Sequence, residues 1–212
     1  MSNEDILKTG TTTIGMKIKD GVILASDQRA TMGNIIAHSN VQKVYQLADN
    51  LGMTIAGVVG HAQLMVRYIQ SEVSIYSMKR GSPISVKAAA TLVGNVVMQN
   101  GLYVGLIVGG HDTTGGHIFS VDGAGGYIED NFMSVGSGST FAMGSLEASY
   151  KENMTKKEAI DVAITALNSS RRRDSATGDG MLISYIGPKG YEEMPQEQIK
   201  ARCGELGFVY PH

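Results

Sequence analysis

Gly10-Thr11-Thr12-Thr13 is the stretch where chemistry and structure compete for the same residues. A threonine hydroxyl is a weak nucleophile until a base removes its proton. One base belongs to the residue itself. If the bond before Thr11 is cut, the freed α-amine has a reference pKa of about 7.7–8.0, well placed for proton transfer near neutral pH. Before that cut the nitrogen is an amide and cannot act as a base. Glycine on the far side of the bond lets the peptide bend around an attacking hydroxyl. Taken alone, the triplet favours a plainer reading, β-branched residues opening a strand.

The elements that must position these residues are visible on either side. Segments 12–18 and 21–27 are rich in β-branched and small apolar residues, and Asp20-Gly21 between them predicts a hairpin. Residues 52–60 read as a further buried strand after the turn residues Asp49-Asn50. Leu64, Met65, Tyr68, Ile69, Val73 and Tyr76 recur at helical spacing and predict a helix over 61–80. A second helix is expected over 85–99, stopping at Asn100-Gly101. Strands return over 102–112, 116–130 and 132–138. Helices follow over 140–151 and 155–172, the latter opened by the capping box Thr155-x-x-Glu158. A hairpin over 181–194 turns at Gly187-Pro188-Lys189-Gly190, and a short helix begins at Pro195. Strands grouped in hairpins imply antiparallel sheets, and the helices come in consecutive pairs. The expected fold is therefore α+β: one domain, a four-layer αββα sandwich of two antiparallel sheets flanked by helix pairs.

Composition narrows the function. The chain of 212 residues has 42% hydrophobic and 18% charged residues and a net charge of −2, enough for one real core and without a basic nucleic-acid footprint. Arg171-Arg172-Arg173 fits a solvated face or a helix C-terminus. Cys203 is the single cysteine, which rules out an intramolecular disulfide, and none of the five histidines has metal-ligand spacing. His111 and His117 flank a glycine-rich turn. Neither a metal nor a cofactor is expected. The first ten residues lack a basic region and an apolar run, and no stretch approaches the ~18 apolar residues of a membrane span. A cytoplasmic protein is the expectation.

Four stretches carry a specific resemblance: "TTTIGMKIKDGVILASDQRATMGN", "KVYQLADNLGMTIAGVVGHAQ", "VGSGS" and "RRRDSATGDG". In their order and spacing the chain resembles the β-subunits of archaeal 20S proteasomes, N-terminal nucleophile (Ntn) hydrolases that act through threonine. The similarity runs from Thr11 almost to the C-terminus. It implies a leader, residues 1–10, removed by self-cleavage between Gly10 and Thr11, and a mature domain over 11–212. Thr11 would be the nucleophile, its amine relaying the proton. Lys43 would lower the hydroxyl's pKa, and Asp27 would orient that lysine. Read by themselves, a lone lysine is more often a solvated surface group, and Asp27 with Arg29 fits a surface ion pair. Gly57 would supply an oxyanion-hole N–H. Ser139, Asp174 and Thr177 would support the amine and its water, with Thr177 where serine is commoner in the family.

By the same resemblance, the pocket for the residue before the cleaved bond is lined by Ala30, Thr31, Val41, Tyr45, Ile55 and Val59. With no acidic or basic wall, it implies a chymotrypsin-like preference for large apolar residues. His61 stands where some relatives carry aspartate. The implied partners are β-subunits in a seven-membered ring, α-subunit rings, a regulatory ATPase reached through the α-rings, and unfolded polypeptide substrates, with no nucleic acid and no membrane. The uncut chain should be an inactive zymogen. Two other readings stay open at this point: a non-catalytic ring subunit, and a two-ring bacterial-type threonine peptidase.

Overall fold

The computed structural model describes residues 10–57, 59–102 and 104–210, excluding the side chains of 59–62. Two antiparallel five-stranded sheets form its middle. The first has the order β10 (Phe132–Val135), β1 (Thr13–Ile18), β2 (Gly21–Asp27), β11 (Met181–Gly187) and β12 (Gly190–Glu193). The second runs β5 (Val44–Ala48), β6 (Leu51–Gly57), β7 (Val104–Asp112), β8 (Gly115–Val121) and β9 (Tyr127–Glu129). Helices α1 (Val59–Arg80) and α2 (Val86–Asn100) cover the second sheet, while α3 (Ser139–Ser149), α4 (Lys156–Arg171) and α5 (Gln196–Glu205) pack with the first. This is the expected four-layer sandwich.

Alternation along β2 shows why the layers stack in this order. Val22 and Leu24 point between the sheets, where they meet Ile107, Ile118, Leu182 and Ile186. Ile23 and Ala25 point the other way, into the layer shared with Ile160, Ala163 and Ile164 of α4. A strand buried on both faces reads as a continuous apolar run, as β2 does. Each valine, leucine or isoleucine among them contributes roughly 1.5–3 kcal/mol by leaving water. A third apolar layer joins α1 and α2 to Met53, Leu106 and Val108 of the second sheet.

Local signals set the element ends. Ser85 caps α2 by accepting from the Ala88 N–H at 3.3 Å, and Gly101 closes that helix at φ 58°. The Thr155/Glu158 capping box forms as the sequence predicts. Three readings need correction. The strand expected over 52–60 stops at Gly57, and a helix begins at Val59, two residues before the expected start, because an apolar run cannot mark a strand-to-helix junction. The segment 116–130 is two strands, split where Asp122 Oδ1 accepts from the Ala124 and Gly126 N–H groups. A hairpin of β3 (Ala30–Met32) and β4 (Ile35–His38), together with β5, is additional to the predicted strands. The hairpin leaves Met32, Ile35 and Ile36 exposed, so it lacks the alternation that marks a half-buried strand.

Candidate active site

Thr11 lies at the head of β1, where the β1–β2 hairpin brings the two strand ends together. The register pairs Thr13 with Ser26, and the Asp27 N–H donates to Thr12 O at 3.2 Å. Sequence distance 15 therefore becomes direct contact: the Thr12 N–H donates to Asp27 Oδ1 at 3.0 Å. Thr11 itself is only 3% exposed. Its hydroxyl donates to the carbonyl oxygen of Gly10 at 2.6 Å, across the peptide bond that a self-cleaving chain must open.

On one side of Thr11 stands a buried ion pair. Lys43, just before β5, donates from Nζ to Asp27 Oδ1 at 2.9 Å and to Arg29 O at 2.5 Å. The other carboxylate oxygen, Asp27 Oδ2, accepts from the N–H groups of Arg29 (3.1 Å) and Gly178 (3.0 Å). Four donors thus hold Asp27, each hydrogen bond to a charged group contributing about 1.5–3 kcal/mol. Burial nevertheless dominates the protonation balance. It pushes the Asp27 carboxyl above its ordinary range, against the pull of Lys43, Thr12 and Gly178. It also pushes the Lys43 ammonium below its ordinary range, against the pull of Asp27. Desolvation of both partners makes proton exchange at Lys43 easier than at a surface lysine.

On the other side a chain of hydroxyls leads to a second carboxylate. The Thr11 N–H donates to Ser137 Oγ at 3.1 Å, and Ser137 Oγ donates to Asp174 Oδ2 at 2.5 Å. Thr177 Oγ1 donates to the same oxygen at 2.6 Å, and its contact with Thr12 Oγ1 at 2.7 Å then makes Thr12 the donor. The Ala176 N–H donates to Asp174 Oδ1 at 3.1 Å. The loop between β10 and α3 reaches this close because Gly136, at φ 114°, has no Cβ; one there would lie 2.0 Å from Thr11 O.

The sequence-predicted residues therefore separate into groups. Thr11, Asp27, Lys43, Asp174 and Thr177 converge. The serine in contact with Thr11 N–H and Asp174 is Ser137, whereas Ser139 is the first residue of α3 and its own N–H donates to Gly136 O at 3.1 Å. "VGSGS" holds both serines, and only the helix start separates them. Gly57 ends β6 at φ 150°, a backbone suited to glycine, and its neighbour Ala56 approaches the same Gly136 corner as Thr11.

Of the pocket residues, Ala30, Thr31 and Ile55 are buried and Val41 and Tyr45 half-buried. The Ile55 N–H donates to Lys43 O, and the Val41 N–H to Gln28 O, both at 2.9 Å. Ile55 and Tyr45 also pack with Met53 and Met65 in the helix-facing core. The Val59 and His61 side chains lie outside the described residues, as do leader residues 1–9.

Arg29 makes no side-chain pair with Asp27. Its guanidinium grips Asp179 through Nε (3.1 Å) and Nη2 (3.2 Å) and donates from Nη1 to Ser175 O at 2.9 Å. Nothing local in the sequence pointed to this pairing across 150 residues. Among the described residues no cluster of histidine, cysteine, aspartate or glutamate fits a metal ion, and no helix is long and apolar enough to cross a membrane.

Two stacked antiparallel sheets between helix layers, with a buried threonine at the head of a strand beside a Lys–Asp pair, define the Ntn-hydrolase fold. The proteasome subunit family matches residues 7–186. The chain is 49% identical over 197 residues to the proteasome subunit beta of Methanocorpusculum labreanum, covering 91% of this chain and 93% of that one. It is 44% identical over 207 residues to that of Thermoplasma acidophilum, covering 96% and 98%. Against that of Methanosphaerula palustris it is 47% identical over 204 residues, covering 94% and 96%. The chain belongs to the proteasome subunit family, in its archaeal β class, and is a threonine endopeptidase.

Proposed function

We propose that this chain is the catalytic β-subunit of a 20S core particle, made as a zymogen and activated by its own cleavage between Gly10 and Thr11. The observation that carries the reading is the Thr11 hydroxyl held 2.6 Å from the Gly10 carbonyl oxygen, flanked by the Lys43–Asp27 pair and the Ser137–Asp174 chain. In activation, Thr11 Oγ1 adds to the Gly10 carbonyl carbon, the C–N bond breaks as the acyl group passes to oxygen, and the hydroxyl proton is delivered to the departing Thr11 nitrogen. Water then hydrolyses the ester, leaving Gly10 as a carboxylate and Thr11 with a free amine. Two of the three N–H groups of Lys43 go to Asp27 Oδ1 and Arg29 O, so the third is available to turn toward the Thr11 oxygen as charge develops on it.

In turnover the freed amine takes the hydroxyl proton as Oγ1 attacks the scissile carbonyl, then gives it to the departing amine. Ser137, supported by Asp174 and Thr177, steadies the Thr11 amine and its water. The Gly57 N–H stabilises the oxyanion. Ala30, Thr31, Val41, Tyr45, Ile55 and Val59 line a pocket favouring large apolar residues. Substrates are unfolded polypeptides, reached inside a chamber of stacked seven-membered β-rings and α-rings in the cytoplasm, with an ATPase feeding it through the α-rings. The exposed Met32, Ile35 and Ile36 of the β3–β4 hairpin, and Leu64 and Tyr68 on α1, offer apolar surface for such neighbours.

Co-expression with a partner α-subunit, followed by intact mass of the β-chain, tests the reading. Assembled particles should contain a chain beginning at Thr11 and should cleave peptides. Thr11→Ala should assemble, keep its leader and show no hydrolysis. A wild-type chain that stays uncut in active particles would overturn it.

A further inference from the structure

We propose that Ala176 is the residue that restricts the self-cleavage position to glycine, an inference that rests on the activation step above and assigns its specificity. Gly10 is buried and fixed on both sides of its Cα. Its N–H donates to Thr31 Oγ1 at 3.1 Å, and its carbonyl oxygen accepts from Thr11 Oγ1 at 2.6 Å. The remaining direction faces Ala176. A Cβ on residue 10 would lie 1.7 Å from Ala176 Cβ, 2.8 Å from its Cα and 3.1 Å from its carbonyl carbon. Real Cβ atoms do not approach so closely, so one of the two segments would have to move.

Ala176 has little freedom to yield. Its N–H is tied to Asp174 Oδ1 at 3.1 Å, and the next N–H, of Thr177, to Asp174 O at 3.2 Å. Arg29 holds the preceding carbonyl, Ser175 O, at 2.9 Å. The same loop carries Thr177 Oγ1, hydrogen-bonded to Asp174. A side chain at position 10 would therefore be relieved by moving residue 10 itself, which pulls the Gly10 carbonyl away from the Thr11 hydroxyl. The restriction is steric and falls on the carbonyl that reacts.

The test compares five chains assembled with the α-subunit: wild type, Gly10→Ala, Ala176→Gly, Gly10→Ala with Ala176→Gly, and Ala176→Val. Intact mass over time reads the fraction cut at the 10–11 bond. Gly10→Ala should slow cutting about 100-fold. The double variant should regain at least about tenfold of that loss, short of full recovery because the residue 176 Cα stays in place. Ala176→Val should slow cutting of the unchanged Gly10 chain, which keeps the proposal testable if Gly10→Ala fails to assemble. Cutting of Gly10→Ala at the wild-type rate, a double variant no faster than Gly10→Ala, or an unaffected Ala176→Val would each overturn the proposal. A wild type left uncut ends the activation reading and this proposal with it; a cut wild type with an unrescued Gly10→Ala ends only this proposal.

Discussion

Asp27 and Asp112 each end a strand and each anchor a polar cluster, at opposite ends of the sandwich. Asp27 closes β2 beside Thr11, while the turn after Asp112 meets β2 at its other end, where a Cβ on Gly116 would strike the Gly21 backbone. Both carboxylates are well supplied with donors. Asp112 accepts from the Thr114 N–H (2.9 Å) and hydroxyl (2.6 Å) through Oδ1 and from the Val86 N–H (3.0 Å) through Oδ2. Thr114 Oγ1 also meets His117 Nε2 at 2.8 Å, and His117 Nδ1 meets Glu129 at 2.6 Å. Yet the two titrate in opposite directions. At Asp27 burial outweighs Lys43 and the backbone donors, and the carboxyl is pushed up. At Asp112 burial is partial, the donors from Thr114 and Val86 together with His117 outweigh it, and the carboxyl is held down. Donor count alone does not make a reactive site. Loss of solvent around a charged pair turns a structural clasp into a place where protons move cheaply.

The largest effect should come from breaking the buried pair. Lys43→Ala removes the ammonium and leaves Asp27 with its three backbone donors, Thr12, Arg29 and Gly178. Peptide hydrolysis should fall by roughly a thousandfold, the order expected for a group that moves or steers a proton. Leader removal should slow with it, which intact mass would read in the same particles. Hydrolysis within tenfold of wild type would place the proton-handling group elsewhere and erase the contrast with Asp112.

Arg29 adjoins the buried pair, joined by its backbone to Asp27 and Lys43 and by its side chain to Asp179 and Ser175. Its guanidinium is about one-fifth exposed, so its bonds are neither surface pairs nor fully buried ones. Arg29→Ala should lower kcat roughly tenfold and stability by about 2 kcal/mol, read by peptide hydrolysis and urea unfolding. Arg29→Lys should recover stability in part and less of kcat, because a lysine cannot span Asp179 and Ser175 in one planar fork. Equal recovery of both would reduce Arg29 to a stabilising residue.

How much of this was legible in the sequence follows from how far each signal reaches. The β1–β2 hairpin, the α4 capping box and the pairing of helices rest on neighbours a few residues apart, and they appear as predicted. Asp27, Lys43 and Asp174 could be singled out because the resemblance supplies spacing over long distances, and the structure brings Asp27 onto Lys43 and Asp174 onto Thr177. The choice between Ser137 and Ser139 depended on which residue begins α3, a boundary that two identical side chains in "VGSGS" do not reveal. For Arg29 the local sequence offers only its near neighbour Asp27 as a plain ion-pair partner, whereas its guanidinium reaches Asp179 across the fold. Ala176 carries no local signal at all. Its meaning comes from Gly10, brought against it by the meeting of two sheet-end segments.

The smallest effect belongs to the Asp112 cluster, where pH gives the sharper test. Asp112→Ala frees the Val86 N–H at the start of α2 and both Thr114 donors, and should lower stability by about 1 kcal/mol, or about 2–4 °C in Tm, with peptide hydrolysis unchanged. Because Asp112 is held below its ordinary 3.8 in the folded chain, the stability it contributes is fully present above that value. It is lost as pH falls through the depressed folded pKa. The gap between wild type and Asp112→Ala should therefore be constant near neutrality and shrink in acid, once the carboxylate is protonated in both states. Asp27 has the opposite sign: with its folded pKa above 3.8, its contribution is greatest below that value and declines as pH rises through the raised pKa. Urea unfolding of wild type and Asp112→Ala across that acid range reads the first slope directly. A gap that widened in acid would mean that Asp112, like Asp27, is governed by burial, and the distinction between the two ends of the sandwich would fail.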